Sequence, residues 1–129
     1  LIDILVPNES ELSLLTNMPV TDVKSAELAA QEILKRGVKT VIVTLGSKGA
    51  LVVTGTQATQ VDTYKVEVVD TTAAGDAFIG GFASVMLSGK SLEESVRYGC
   101  ACGALATTKL GAQPSLPTKE EVERFMSLQ

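Results

Sequence analysis

The sequence predicts an α/β domain with doubly wound grammar, a three-layer α/β/α arrangement whose sheet is mostly parallel and also carries a β-hairpin. Three stretches predict it. Apolar residues at helical spacing over 26–36 are followed closely by the β-branched run Thr40 to Leu45, the helix-then-strand order of βαβ units. Two short runs, Ala50 to Val53 and Ala58 to Asp62, flank Thr54-Gly55-Thr56-Gln57 and read as an antiparallel hairpin. Tyr64 to Val69 shows β-branched residues in partial alternation, and Gly75 to Leu87 shows helical spacing, so Asp70 to Asp76 fall on a strand-to-helix turn.

Taken in order, Leu1 to Val6 reads as a short buried strand stopped by Pro7. Asn8 and Glu11, three apart, form a capping-box-like pair that opens a helix to about Thr16, and Asn17-Met18-Pro19 is a turn. The amphipathic helix from Ala26 to Arg36 gathers Ala29, Ala30, Ile33 and Leu34 on one face and has Gly37 at its C′ position. Thr40 to Leu45 suits a strand covered on both faces. At its C-terminal end stands Thr44-Leu45-Gly46-Ser47-Lys48-Gly49, where open α/β sheets collect ligands. This segment has neither the G-x-G-x-x-G nor the G-x-x-x-x-G-K-[ST] pattern, so a plain hairpin turn and a ligand loop both fit, with Lys48 a solvated charge. Gly80 and Gly81, inside the next helix, cost about 1 kcal/mol each relative to alanine, which predicts close packing against the sheet. Ser91-Leu92-Glu93-Glu94 is a capping box that starts a helix to about Thr107, with Val96, Cys100, Gly103, Leu105 and Ala106 as its apolar, small-residue surface. Lys109 to Pro117 is a Gly/Pro loop, and the Thr118-x-x-Glu121 box opens a last helix to about Leu128.

Composition narrows the chemistry. The 129 residues are one domain's worth of chain, 45% hydrophobic, and the net charge of −4 with scattered lysines argues against a nucleic-acid surface. With no histidine, Ser-His-Asp, Cys-His and His-ligated zinc mechanisms are excluded within this chain, so a general base must be Asp or Glu. Cys100 and Cys102, two apart on a helical stretch, suit neither a redox pair nor a zinc site and read as buried thiols in a reducing cytoplasm. No apolar run approaches the roughly 20 residues that span a bilayer, and no signal peptide is visible, so no membrane partner is expected. The chain opens on Leu1 just before a strand and is expected to be a fragment of a longer protein.

The turn Asp70-Thr71-Thr72-Ala73-Ala74-Gly75-Asp76 carries the most chemistry. The first amides of a helix lack intrahelical acceptors and stand at the positive end of its dipole, and alanine and glycine leave them open to a phosphate. Asp76, in the first turn, can take a proton from a hydroxyl held beside a phosphoryl group. An ordinary small-residue turn, with Asp76 favoured by the dipole alone, fits the same residues.

Four motifs, N-x-x-E, T-L-G-S-K-G, D-T-T-A-A-G-D and K-x-G-A-Q-P-S, occur in order with compatible spacing, and together they resemble the C-terminal half of the ribokinase-like (PfkB) carbohydrate kinases. The resemblance implies a ribokinase-like fold truncated at the N-terminus, with residues 1–129 as the nucleotide-binding and catalytic part. It implies Asp76 as catalytic base at the acceptor hydroxyl, with Ala73, Ala74 and Gly75 forming the anion hole. Asn8 would lie at the ATP phosphates, and Glu11 would orient Mg²⁺ through water. Thr44, Leu45, Gly46, Ser47, Lys48 and Gly49 would run along the nucleotide, and Cys100 would stand near adenine, where the family often has a polar side chain. A monovalent cation, K⁺ by preference, would be held by Asp70, by carbonyls of Thr72, Ala106, Lys109 and Gly111, and by Ser115.

The activity implied is transfer of the γ-phosphoryl of ATP to the 5-hydroxyl of D-ribose, G-A-Q-P-S favouring this branch over fructokinases and adenosine kinases. The sugar-binding residues and the lid that usually makes the dimer come mostly from the family's N-terminal half. The fragment alone is therefore expected to be inactive, and its cut sheet edge to invite self-association. Two other classes fit the residues alone: a nucleotide-binding module without kinase activity, and a structural or interaction domain whose stability ignores ATP and cations.

Overall fold

The computed structural model of the chain describes residues 3–110 and 117–129. They fall into two compact units, Leu1–Val61 and Asp62–Gln129.

The first unit holds a four-stranded sheet, β1 (Ile4–Leu5), β2 (Thr40–Thr44), β3 (Ala50–Thr54) and β4 (Ala58–Val61), in that spatial order, with helices α1 (Glu9–Thr16) and α2 (Val23–Lys35). β1 and β2 run parallel, whereas β2–β3 and β3–β4 are antiparallel. The sheet expected to be mostly parallel therefore has one parallel ladder among the described residues. The connections after β2 and β3 are too short for a crossover, which takes a dozen or more residues, so each closes as a hairpin. The register sets Val41 opposite Val53 and Val43 opposite Leu51. Because side chains alternate, these four share one face, and Leu12, Ala26, Ala29, Ala30 and Ile33 of the two helices pack on it with Leu45. Three alanines on α2 keep its axis close to the sheet. Ile42 lies on the opposite face and is also buried, as expected for a strand covered on both sides.

Several boundaries follow the caps. Asn8 caps α1 in a reciprocal box with Glu11, and Asn17 closes it in a left-handed conformation at φ 56°. α2 begins three residues before Ala26, because the Asp22 side chain accepts from Ser25 N at 2.8 Å and Ser25 Oγ accepts from Asp22 N at 3.0 Å. It closes as predicted, with Gly37 at φ +106° and its amide on the Leu34 carbonyl. The strand expected over Leu1 to Val6 pairs with β2 only at Ile4 and Leu5.

The second unit holds α3 (Ala74–Leu87), α4 (Leu92–Ala106) and α5 (Lys119–Ser127). α3 and α4 meet through glycines. A Cβ built on Gly81 would stand 2.4 Å from Cys102 Sγ, one on Gly99 would stand 3.1 Å from the Phe78 ring, and one on Gly103 would stand 3.2 Å from the Ala74 carbonyl oxygen. Gly81 is thus needed against α4, and among the described residues a Cβ on Gly80 would meet nothing within 4 Å. Where α3, α4 and α5 meet, Ala77, Ala101, Cys102, Ala106 and Val122 form a core with Tyr64 and Phe125, whose rings meet edge-on at 5.1 Å. Ser91 caps α4 through Glu94 N, but Glu94 bonds the Ser91 hydroxyl and not its amide, so the box is one-sided. The Thr118–Glu121 box of α5 is reciprocal.

The strand expected at Tyr64 to Val69 is not formed. A strand needs a neighbour for its amides, and among the described residues the segment pairs with no strand; the Val69 amide instead donates to the Thr107 carbonyl at 2.7 Å.

Candidate functional site

In the first unit, the parallel pair β1–β2 brings two predicted segments together. The Thr44 amide donates to the Pro7 carbonyl at 2.9 Å, and Asn8 bridges Thr44 in parallel register. The N-terminus of α1 and the start of the T-L-G-S-K-G segment therefore share the C-terminal end of adjacent strands, where open α/β sheets present ligands. Asn8 and Glu11 are exposed and hold one another: Asn8 Oδ1 accepts from Glu11 N at 2.8 Å, and Glu11 Oε1 accepts from Asn8 N at 2.9 Å. The capping role is thus fully formed, and it leaves Asn8 Nδ2 and Glu11 Oε2 without a partner among the described residues.

Leu45 to Gly49 is also a hairpin connection. Gly46–Lys48 form one 3₁₀ turn, in which the Lys48 amide donates to the Leu45 carbonyl at 3.2 Å and the Gly49 amide to the Gly46 carbonyl at 3.1 Å, while the Leu45 amide, donating to the Gly49 carbonyl at 2.8 Å, closes the connection. Gly46 at φ +60° and Gly49 at φ +88° occupy the left-handed region, which explains the two glycines. Leu45 is buried while Gly46, Ser47 and Lys48 are exposed, so the tip offers backbone and a solvated ammonium, as expected of Lys48.

In the second unit, the Asp70 to Asp76 turn is held from both ends. Thr107, just past α4, accepts from Val69 N at 2.7 Å and from Asp70 N at 3.0 Å through one carbonyl. Asp70 Oδ1 accepts from the amide and the hydroxyl of Thr72, which sets the chain for the turn into α3. α3 has no side-chain cap at Ala73. The Ala74 amide donates to the Thr71 carbonyl at 3.2 Å, whereas the amides of Ala73, Gly75 and Asp76 have no acceptor among the described residues. Of the four amides of the predicted anion hole, three are thus unpaired among the described residues and one is engaged in the turn, at the positive end of a 14-residue helix. Ala73 is buried, whereas Gly75 is exposed, and among the described residues a Cβ on it would meet nothing within 4 Å.

Asp76 is exposed, has no hydrogen-bond or ion-pair partner among the described residues, and lies on the wall of an open groove of about 1000 Å³ along α3, α4 and α5. A carboxylate with unused lone pairs beside open amides can hold a hydroxyl and accept its proton while an anion rests on the amides.

Of the predicted cation ligands, Asp70, Thr72, Ala106 and Lys109 are described, while Gly111 and Ser115 lie outside the described residues. The Lys109 amide donates to Ala106 O at 3.3 Å, and Thr107, bonded to the Asp70 backbone, stands between them in sequence. The Asp70 carboxylate with main-chain carbonyls would make an all-oxygen donor set, of the kind that fits a hard cation and not a soft metal. Among the described residues no three His, Cys, Asp or Glu side chains gather as a metal cluster. Cys100 is 3% exposed, and burial pushes its thiol up to about 11, as it does that of Cys102. Both are free, buried and protonated at neutral pH, as the sequence predicts. Thr107 is the residue that sequence reasoning missed; its contribution is a main-chain oxygen at a helix end, for which no side-chain signal exists.

The family resemblance drawn from the motifs is met by direct comparison. The pfkB family carbohydrate kinase model matches residues 1–119. A ribokinase of Haemophilus influenzae is 44% identical over 126 residues, covering 98% of this chain and 41% of that protein. Among solved structures, a Thermotoga maritima ribokinase superposes with TM-score 0.89 at 46% identity, over 97% of this chain and 42% of its own. An Arabidopsis thaliana ribokinase does so with TM-score 0.93 at 41% identity, over 99% and 42%. The chain thus spans about two fifths of the length of the relatives it matches, and its fold is the ribokinase-like α/β fold. Sequence and fold agree, and the chain belongs to the PfkB family of carbohydrate kinases.

Proposed function

We propose that this chain is the nucleotide-binding and catalytic part of an ATP-dependent sugar kinase whose acceptor is the 5-hydroxyl of D-ribose. The observation that carries the reading is the exposed carboxylate of Asp76 in the first turn of α3, without a partner among the described residues, next to the unpaired amides of Ala73, Gly75 and Asp76. Phosphoryl transfer through a loose transition state needs positioning and charge neutralisation more than a strong base. Asp76 accepts the proton of the sugar hydroxyl as the bond to phosphorus forms. The open amides take up charge on the transferring group's oxygens, a contribution worth several kcal/mol in a water-poor site.

The nucleotide is assigned to the end of β1 and β2, with Asn8 at the phosphates and Thr44 to Gly49 running along it. Glu11, with one carboxylate oxygen spare, would hold Mg²⁺ through water, and the ion would neutralise phosphate charge. Asp70 with carbonyls of Thr72, Ala106 and Lys109 would hold the monovalent cation. Relatives support these assignments by what their structures contain: ribose and ATP in the Arabidopsis thaliana ribokinase, ATP and Mg²⁺ in an Escherichia coli neighbour, and potassium in Escherichia coli phosphofructokinase-2. The complete enzyme is placed in the cytoplasm as a homodimer. Free thiols accord with that compartment.

A Salmonella typhi deoxyribokinase and a rice fructokinase-1 are also relatives, at 39% and 37% identity, so the acceptor is what the test must resolve. The complete kinase is assayed for ADP release with MgATP and ribose, 2-deoxyribose, fructose or adenosine. The product is located by phosphorus NMR. The expected result is the highest kcat/KM with ribose and a phosphate on the 5-oxygen. Preference for another acceptor moves the chain to a sibling activity, and ATP binding without transfer to any of them makes it a nucleotide-binding module.

A further inference from the structure

Glu121 makes three contacts, two within the first turn of α5 and one that reaches back to the end of α4. Its Oε1 accepts from the Thr118 amide at 3.1 Å, its own amide donates to Thr118 Oγ1 at 3.2 Å, and its Oε2 meets the Lys109 ammonium at 2.8 Å. The first two are the capping box of α5. Capping does not need the third, because a neutral glutamine serves a box as well. The third ties α5 to Lys109, twelve residues earlier, whose amide in turn donates to Ala106 O. One residue on from Ala106, the Thr107 carbonyl holds the amides of Val69 and Asp70. A continuous run of bonds therefore leads from the Glu121 carboxylate through Lys109 and the end of α4 to the backbone of Asp70.

We propose that Glu121 is a positioning residue for the monovalent-cation site. By gripping the Lys109 side chain from the first turn of α5, it fixes where the Lys109 carbonyl stands relative to Asp70. Carbonyl ligands hold a cation well only when already placed, because every residue ordered on binding costs conformational entropy. The inference rests on the cation site assigned above. It adds a residue that itself touches no cation.

The test uses the complete kinase with Glu121→Gln, Lys109→Met and the double variant, in potassium chloride and in tetramethylammonium chloride at equal ionic strength. Glutamine preserves the cap, and methionine preserves both the backbone carbonyl and the apolar stem, so folding is retained. Two quantities are read: the K⁺ concentration for half-maximal phosphoryl transfer, and the rise in Tm that K⁺ produces over tetramethylammonium. The pair is partly exposed, and such pairs couple weakly, so each single variant is expected to raise the half-maximal K⁺ concentration about two- to fivefold. The double variant adds little to either single one, because both break the same contact. The K⁺-dependent part of Tm shrinks in all three. If Tm falls equally in both salts and the half-maximal K⁺ concentration is unmoved, the pair only staples α5 and the inference is overturned. If the wild-type kinase ignores K⁺ in both readouts, the cation site itself is wrong, and the inference falls with it.

Discussion

Gly80 and Gly81 are adjacent residues of one helix, yet alanine should move stability in opposite directions at the two. At either position it gains about 1 kcal/mol of helix propensity. At Gly80 nothing lies within 4 Å of the new methyl, so that gain stands alone. At Gly81 the methyl would meet Cys102 Sγ at 2.4 Å, Cys102 Cβ at 3.0 Å and Tyr98 Cδ1 at 3.3 Å. The sulfur can rotate, but Cβ is fixed to the backbone of α4, so the helices must part. Overpacking of this kind costs about 1–3 kcal/mol, which leaves Gly81→Ala roughly 0–2 kcal/mol below the parent and about 1–3 kcal/mol below Gly80→Ala. Urea denaturation followed by circular dichroism measures the difference. Adding Cys102→Ala to Gly81→Ala removes the nearest atom and should recover part of the loss. A Gly81→Ala protein as stable as Gly80→Ala would show that α3 and α4 do not meet at the closeness described.

Other outcomes follow from the same geometry. Asn8→Asp keeps a good cap and should leave stability within about 0.5 kcal/mol, whereas Asn8→Ala should cost about 1 kcal/mol. If Asn8 also faces the ATP phosphates, the aspartate should weaken MgATP binding at least about tenfold, because like charges brought together cost several kcal/mol; unchanged affinity in a calorimetric titration would leave Asn8 a cap alone. Burial holds the thiols of Cys100 and Cys102 near 11, above the ordinary value of 9.0. The unfolded chain then loses these protons first, so the stability they contribute is complete below pH 9 and is lost as pH rises through 9 to 11. The loss should be roughly 1–3 kcal/mol per thiol, and a Cys100→Ala, Cys102→Ala protein should show a flatter profile across that window.

What was legible in the sequence was what residues encode locally. Asn8 with Glu11, Thr118 with Glu121 and Gly37 announce helix ends, because a cap is a contact between residues three or four apart. The Asp22–Ser25 box escaped notice because serine replaces the usual Glu or Gln at the third position. The hairpin of β3 and β4 was legible from alternation and a four-residue turn. Tyr64 to Val69 was not, since alternation describes a strand's faces and says nothing about whether a neighbour offers it hydrogen bonds. Gly81 was legible as a close contact but its partner on α4, Cys102, was not, because a glycine records that something approaches and not what. The small-residue turn before Asp76 was legible as a helix start, and α3 does begin at Ala74 without a side-chain cap, since amides at a helix start need no distant partner to be left unpaired. The Thr107 carbonyl that anchors the turn is main chain, and any residue type would supply it.

The account rests on Asp76 as the base at the open end of α3. Its most direct test is ribose 5-phosphate formation by the complete kinase and its Asp76→Asn variant, measured with MgATP affinity for both. General-base catalysis contributes about a hundredfold or more, so the variant should lose at least that in kcat while its MgATP affinity is retained. Turnover equal to the wild type would remove Asp76 from the chemistry and contradict the account.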